Sequence, residues 1–426
     1  MTDVEALDHE SRRIAPWRVA LKSFTSQWFL VPQGTGIIAV VLHQLYYRGE
    51  WLTRISQVFW VLTIALLVAF LLIYLSRCVL FWKDVAKALA TDFQETACLS
   101  SISITFTTII QMVALNLTTD WGRGWGMAAY VLWWINAAMA AVACIGTPYV
   151  FTKLEAQGVD MMPPALLLPL ISALTAAAGG GVVCQYGELG ADLEVPVIIV
   201  GFLFIGLALP MSVVVDAVFW VRLMDGKFPV KEKVFQLMIL CGPLGQGGFA
   251  LLILGNCVQR GAFAVYNTSS FIGASGGATI ATASQFLGLL TWGYGIFWWA
   301  FACIAVLHYL IAAPRALLQM SKTLAAWSMV FPWGVYTNGA VELGTILHSR
   351  AFWVWSTVLT IILVVLWLVN AGATVIGVFS GTLLGLDGGW GAQYFDKKES
   401  PGNGSGQRNG HGQSSASESN GLRHRQ

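Results

Sequence analysis

Charge is what this chain has least of: 11% of its 426 residues are Asp, Glu, Lys or Arg, against 56% hydrophobic, and the mean hydropathy is +0.67. That scarcity excludes a soluble domain and points to an integral membrane protein. A net charge of +2 also excludes a nucleic-acid binder, which needs a concentrated basic patch. Histidine is sparse, with six residues and no HxxxH, and the seven cysteines (78, 98, 144, 184, 241, 257, 303) form no CxxC pair. We therefore expect no metal site and no disulfide framework. There is no GxSxG, no Gly-rich phosphate loop and no cluster of His, Asp, Glu or Cys suited to one membrane face. A polytopic membrane enzyme is thus the disfavoured alternative, and no cofactor is expected. The N-terminus, MTDVEALDHESRRIAPWR, lacks the basic start, apolar core and cleavage site of a secretory signal.

What is present is a series of long apolar runs. Crossing a bilayer takes about 20 mostly apolar residues, and ten stretches qualify, near 27–47, 57–81, 97–117, 126–151, 162–183, 195–221, 234–257, 281–312, 323–347 and 351–379. With ten spans both termini share a side, and nineteen of the 24 Lys and Arg fall on it, against five on the other. The positive-inside rule makes that side cytoplasmic. The expected organisation is a cytoplasmic segment over 1–24, a transmembrane domain over 25–380 and a cytoplasmic tail over 381–426, Gly- and Ser-rich and disordered from about 394. The loop 258–276 is then external, making Asn267, in Asn267-Thr268-Ser269, a candidate glycosylation acceptor.

The spans are of two kinds. The second and tenth are bulky and almost free of polar atoms, as suits a wall facing lipid. The odd-numbered spans carry VPQGTG (31–36), SSISITFTTIIQ (100–111), PPALLLPLISALTAAAGGG (163–181), CGPLGQGG (241–248) and FPWGVYTNG (331–339). In lipid, such groups are tolerated where they pack against protein or face a water-filled path. Single glycines serve helix packing throughout membrane proteins. Five interrupted spans in alternation favour a central pathway. Its expected lining is Gln33, Gly34, Thr35, Gly36, Ser103, Thr107, Gln111, Gly242, Pro243, Gln246, Pro332, Gly334, Thr337 and Asn338, with no Lys or Arg. Neutral donors bind a small anion weakly and release it quickly. Glu342 is a candidate for proton coupling. Asp92 and Glu95 read as a solvated helix start, and Asp216 as a partner of Arg222 or of water.

FTSQWFLVPQGTGI (24–37), CGPLGQGGFA (241–250) and WSMVFPWGVYTNGAVELG (327–344) together resemble the tellurite-resistance/dicarboxylate transporter family, which includes fungal sulfite efflux pumps, a fungal malic acid transporter and plant slow-type anion channels. GPLGQGG and FPWGVYT look most like the fungal sulfite and malate branch. The segment TDFQETACLSSISITFTT departs from it, lacking an HPTQS-like stretch. The resemblance implies an all-α fold of ten transmembrane helices as five hairpins, the odd-numbered helices inside around a central pore, assembled as a homotrimer. It also implies that an aromatic ring in the ninth helix, here Phe331, occludes the pore. The function so implied is plasma-membrane sulfite or bisulfite efflux, with malate or another small organic acid as the alternative.

Overall fold

The computed structural model describes residues 13–153, 162–229, 231–313, 315 and 322–395. The first twelve residues, and the tail beyond Phe395 that was expected to be disordered, lie outside the described residues. Residues fall into two compact units. In the smaller, Arg13 and Ile14 pair antiparallel with Phe395 and Tyr394. The larger, Ala15–Ala392, is helical.

Among the described residues, the larger unit has ten main helices joined by shorter helical pieces: α1 Leu30–Gln44, α2 Glu50–Leu80, α3 Ser100–Met112, α4 Arg123–Lys153, α5 Leu168–Tyr186, α6 Ala191–Met224, α7 Gly242–Gln259, α8 Ala274–Ala312, α9 Val330–Ile346 and α10 Arg350–Ser380. Eight helical segments are long and apolar enough to cross a membrane, among the described residues. The other two, α1 and α9, have 15 and 17 residues and continue 3-10 turns at Ser26–Phe29 and Ala325–Met329.

Burial follows the alternation expected from composition. The most apolar stretches around α3, α5 and α7 are 78, 94 and 100% buried, whereas those of α2, α4, α6, α8 and α10 are 17 to 39% buried. Every residue of α1 from Leu30 to His43 and of α9 from Val330 to Gly344 is buried too. Each odd helix packs on the even helix that follows it, and the odd helices touch one another in a closed cycle, α1 to α3 to α5 to α7 to α9 and back to α1. Five buried helices thus form a ring inside five that present Val58, Leu72, Val79, Ile304 and Phe379 outward.

Tryptophans tie the two layers together. A buried indole N–H needs an acceptor, and each of several finds one across an inner–outer seam. Trp133 of α4 donates to the Ala176 carbonyl in α5 (2.8 Å), Trp292 of α8 to Tyr336 in α9 (3.0 Å), and Trp333 of α9 to Leu359 in α10 (2.9 Å).

The prolines of the inner helices stand at their starts, whereas Pro148 and Pro210 lie inside the outer helices α4 and α6. Pro32, Pro169, Pro243 and Pro332 all stand at the second or third residue of α1, α5, α7 and α9, directly after a 3-10 stretch. Proline lacks an N–H, and the first α-turn is where that loss is tolerated. Four of the five inner helices, α3 being the exception, therefore share one design in which 3-10 backbone gives way to α-helix at a proline.

Inner glycines set the helix spacing. A Cβ added at Gly245 of α7 would lie 2.9 Å from both N and Cα of Tyr336 in α9. Backbone cannot swing aside as a side-chain tip can, so Gly245→Ala is expected to destabilise by about 1–3 kcal/mol through overpacking. A lowered unfolding midpoint of the purified protein checks this.

Candidate functional site

Successive α-helical residues turn by about 100°, so the neighbours of each inner helix fix the direction of its remaining positions. In α1, Gly34 meets Trp327 and Val330, and Ile37 meets Gly334, so both face α9 and its lead-in. Gly36 faces Thr63 of α2 and Thr108 of α3. Thr35 accepts from Trp367 of α10 at 3.1 Å and donates to the Val31 carbonyl at 2.8 Å. Gln33 is left on the arc between α3 and α9, opposite the α10 side, which is the inside of the ring.

The positions of α9 are fixed by its neighbours in the same way. Val330 and Gly334 face α1, Trp333 faces α10, and Tyr336 and Gly339 face α7 and α8. Phe331, Asn338 and Glu342 occupy the remaining inward arc, seven and four residues apart. In α7, Gly248 and Gly255 face α8, Gly247 faces α6 and Gly245 faces α9. Gln246 lies opposite Gly248, again inward. Gln111 of α3 stands beside Gly179 of α5 and is 2% exposed.

Axial register brings these groups to two levels. Gly242 lies near Pro332 and Gly245 against Tyr336, which sets Gln246 level with Asn338. Gly34 lies against Val330, which sets Gln33 level with Phe331. The levels are about 10 Å apart at 1.5 Å rise per residue. No solvent reaches either one: Gln33, Gln246, Phe331 and Asn338 are each 1 or 2% exposed.

The amides at these levels are unusual in having nothing to bond. Gln33 Oε1, Gln246 Oε1 and Asn338 Oδ1 are buried without a hydrogen-bond partner among the described residues. Leaving a buried polar group unpaired costs about 1–3 kcal/mol, and amide oxygen and nitrogen are interchangeable by a flip. Each therefore offers an N–H or C=O to whatever enters the ring. No Lys or Arg is among the buried residues of the five inner helices.

Other residues expected on the path have their hydroxyls engaged elsewhere. Ser103 donates to Asn136 Oδ1 of α4 at 3.0 Å, and Asn136 Nδ2 donates to Thr107 at 2.6 Å. Thr337 donates to the Trp333 carbonyl at 2.8 Å and lies on the α1 side of α9. Gly34, Gly36, Gly242 and Gly334 turn their Cα toward neighbouring helices, and Pro243 and Pro332 stand at the helix starts. Asn267 is exposed, with left-handed backbone at φ 42°.

Beyond Asn338 the ring ends in a polar chain of which the sequence pointed only to Glu342. Asn256 of α7 donates toward Glu342 Oε1 and Gln185 Oε1 of α5, both at 3.3 Å, and Gln185 Nε2 donates to the Tyr186 hydroxyl at 3.2 Å. Only the clustering of polar residues near the C-terminal ends of these spans could have signalled it. A cavity of ≈450 Å³ opens at this same end, lined by His43, Arg48, Asn116, Asp120 and Tyr186.

Two expectations about acids fail. Glu95 is not a solvated helix start but is 1% exposed. Its Oε1 is 2.5 Å from Arg77 Nη1 and accepts from the Tyr74 hydroxyl at 3.1 Å, while Oε2 accepts from the Ser26 amide at 3.0 Å. Asp92 is exposed and caps the Gln94 amide at 2.9 Å, as an acid at a helix start does. Asp216 does not pair with Arg222: Arg222 Nη1 donates to the Met162 carbonyl, and both Asp216 oxygens are buried without a hydrogen bond among the described residues. Arg222 lies near the end of α6, where its side chain reaches the loop before α5.

A ring of buried helices with inward amides, held inside an apolar shell, defines a polytopic membrane transport protein. Residues 23–375 match the SLAC1 family, described as voltage-dependent anion channels, and the chain belongs to it. The chain is 28% identical over 374 residues to the sulfite efflux pumps SSU1 of Arthroderma benhamiae and of Trichophyton rubrum, covering 88% of this chain and 95% of each relative. It is 23% identical over 359 residues to the malic acid transport protein of Schizosaccharomyces pombe, covering 83% of this chain and 78% of that one.

Proposed function

We propose that this protein exports sulfite or bisulfite across the plasma membrane, through the inside of the five-helix ring. All ten helices cross the membrane with both termini cytoplasmic, and three copies assemble with a path in each. The observation that carries the reading is the set of unpartnered, fully buried amides, Gln33, Gln246 and Asn338, facing one interior that holds no fixed cation. Phe331, at the Gln33 level, is the barrier. The sulfite pumps named above support the choice of anion.

Neutral amides suit a compact anion that must leave as readily as it enters. A C4-dicarboxylate presents two charged ends and gains most from charge-assisted, bidentate partners such as arginine, which the ring interior lacks. Malate is therefore the second reading, favoured by the malic acid relative alone. A negative-inside potential drives anions outward by about 2.3 kcal/mol per charge per 100 mV. Glu342, at the external end of the path under this orientation, is the candidate for proton coupling, and exposed Asn267 the candidate for glycosylation.

The test is sulfite release and sulfite survival in cells lacking their own sulfite pump, with labelled malate flux measured alongside. Sulfite export with resistance is the expected outcome. Malate flux without resistance would transfer the assignment to organic acids.

A further inference from the structure

Three inner helices deliver their C-terminal ends to the ≈450 Å³ cavity beside the Glu342 chain. His43 lies in the last turn of α1, Asn116 in the turn that follows α3, and Tyr186 is the final residue of α5. A helix C-terminus carries roughly half a negative elementary charge, so this mouth is unfavourable to an anion unless something offsets it. The turn bearing Asn116, Val113–Leu117, is π-helical, a widened form that occurs mostly as single turns and frequently at functional sites. Asn116 is 4% exposed and held on both sides, donating to the Met112 carbonyl at 3.1 Å and accepting from Gln57 of α2 at 3.3 Å.

Two opposite charges line this cavity and do not pair. Among the described residues Arg48, between α1 and α2, is its one Lys or Arg and Asp120, between α3 and α4, its one acid, and no ion pair joins them. Both are exposed. Donors stand beside them. The Tyr186 hydroxyl accepts from Gln185 and so keeps its own proton to give, and His43 Nδ1 is buried without a hydrogen-bond partner among the described residues. A small oxyanion with one charge is therefore neutralised by Arg48. A dianion leaves a surplus negative charge beside Asp120 and the helix ends, and juxtaposed like charges are costly.

We propose that this cavity is a binding site for a monovalent oxyanion, held by Arg48 and the Tyr186 hydroxyl, with Asp120 turning away divalent ions. Under the export reading, on which the ion's identity rests, bisulfite is the ion that leaves through this mouth, and doubly charged sulfite and malate are disfavoured. Selection by charge is then made at Arg48 and Asp120, outside the ring of neutral amides.

The experiment uses the full-length protein in phosphatidylcholine nanodiscs, titrated at constant ionic strength with methanesulfonate, a monovalent oxyanion, or with sulfate, a divalent one. The readout is the apparent affinity from the rise in unfolding midpoint, for the unaltered protein, Arg48→Gln, Asp120→Asn, and Asp192→Asn as the same loss of charge at the exposed start of α6. The unaltered protein and Asp192→Asn are expected to bind methanesulfonate in preference to sulfate. Arg48→Gln is expected to bind methanesulfonate roughly tenfold more weakly, through loss of a charge-assisted hydrogen bond. Asp120→Asn is expected to bind sulfate about tenfold more tightly, through loss of a like charge. No binding of methanesulfonate, equal affinities for the two ions in the unaltered protein, unchanged affinity in Arg48→Gln or Asp120→Asn, or the same gain for sulfate in Asp192→Asn would each overturn the proposal. Neither ion need cross the membrane, so failure of the site leaves sulfite export untouched, and an absence of sulfite export leaves the test of the site intact.

Discussion

Arg77→Met is expected to destabilise the protein by about 3–5 kcal/mol, the range for removing one member of a buried ion pair. The carboxylate it would abandon, on Glu95, is 1% exposed and has no route to water. The pair is also an anchor between elements. Glu95 precedes α3, Arg77 and Tyr74 belong to α2, Ser26 opens the lead-in to α1, and Arg77 Nε additionally donates to the Lys22 carbonyl at 3.1 Å. Loss of the guanidinium therefore loosens the junction of three segments at the start of the inner ring. The double change Arg77→Met/Glu95→Gln removes both charges and keeps a side chain able to accept from the Ser26 amide, so it is expected to recover part of the loss. Thermal unfolding of the purified variants, followed by size-exclusion profile, measures both. A double variant as unstable as the sum of the two single ones would show that the charges do not act as a pair.

Phe331→Ala is expected to raise anion flux. The ring is 2% exposed, faces inward at the Gln33 level and directly precedes Pro332, in the first turn of α9. If Phe331 is the barrier proposed above, passage requires the ring to leave that position. If moving it costs what burial of a phenylalanine contributes, about 1.5–3 kcal/mol, truncation speeds passage about ten- to hundredfold. Flux per folded protein in liposomes checks this, because the cavity left by Phe→Ala also destabilises by about 3–5 kcal/mol and reduces yield. Unchanged or lower flux per folded protein would assign Phe331 to packing alone.

The alternation of plain and interrupted spans was readable from composition because lipid penalises unsatisfied polar and irregular backbone wherever it is exposed. The structure buries those same odd helices. Gln33, Gln246 and Asn338, expected on the lining, are buried on the inner helices, and Phe331 and Asn338 fall on one inward stripe. Side-chain direction was not readable. Whether Ser103 and Thr107 face a path or a neighbour depends on Asn136, some thirty residues away on α4, and Thr35 is turned outward by Trp367 at the other end of the chain. Glu95 looked solvated because its partner, Arg77, lies on a different helix. The glycines were ambiguous for a related reason: a missing Cβ serves a pathway and a tight helix seam alike, and only the neighbours distinguish them.

If the inward amides are the anion's route, as proposed above, removing them must slow transport. The most direct test is sulfite efflux from liposomes at a fixed inside-negative potential, comparing the unaltered protein with Gln33→Leu/Gln246→Leu/Asn338→Leu at matched amounts of folded protein. The triple variant keeps side-chain bulk and removes all three unpartnered amides, so its efflux is expected to fall at least tenfold, as the loss of even one charge-assisted hydrogen bond, about 1.5–3 kcal/mol, implies. Sulfite efflux from the triple variant equal to that of the unaltered protein would contradict the pathway.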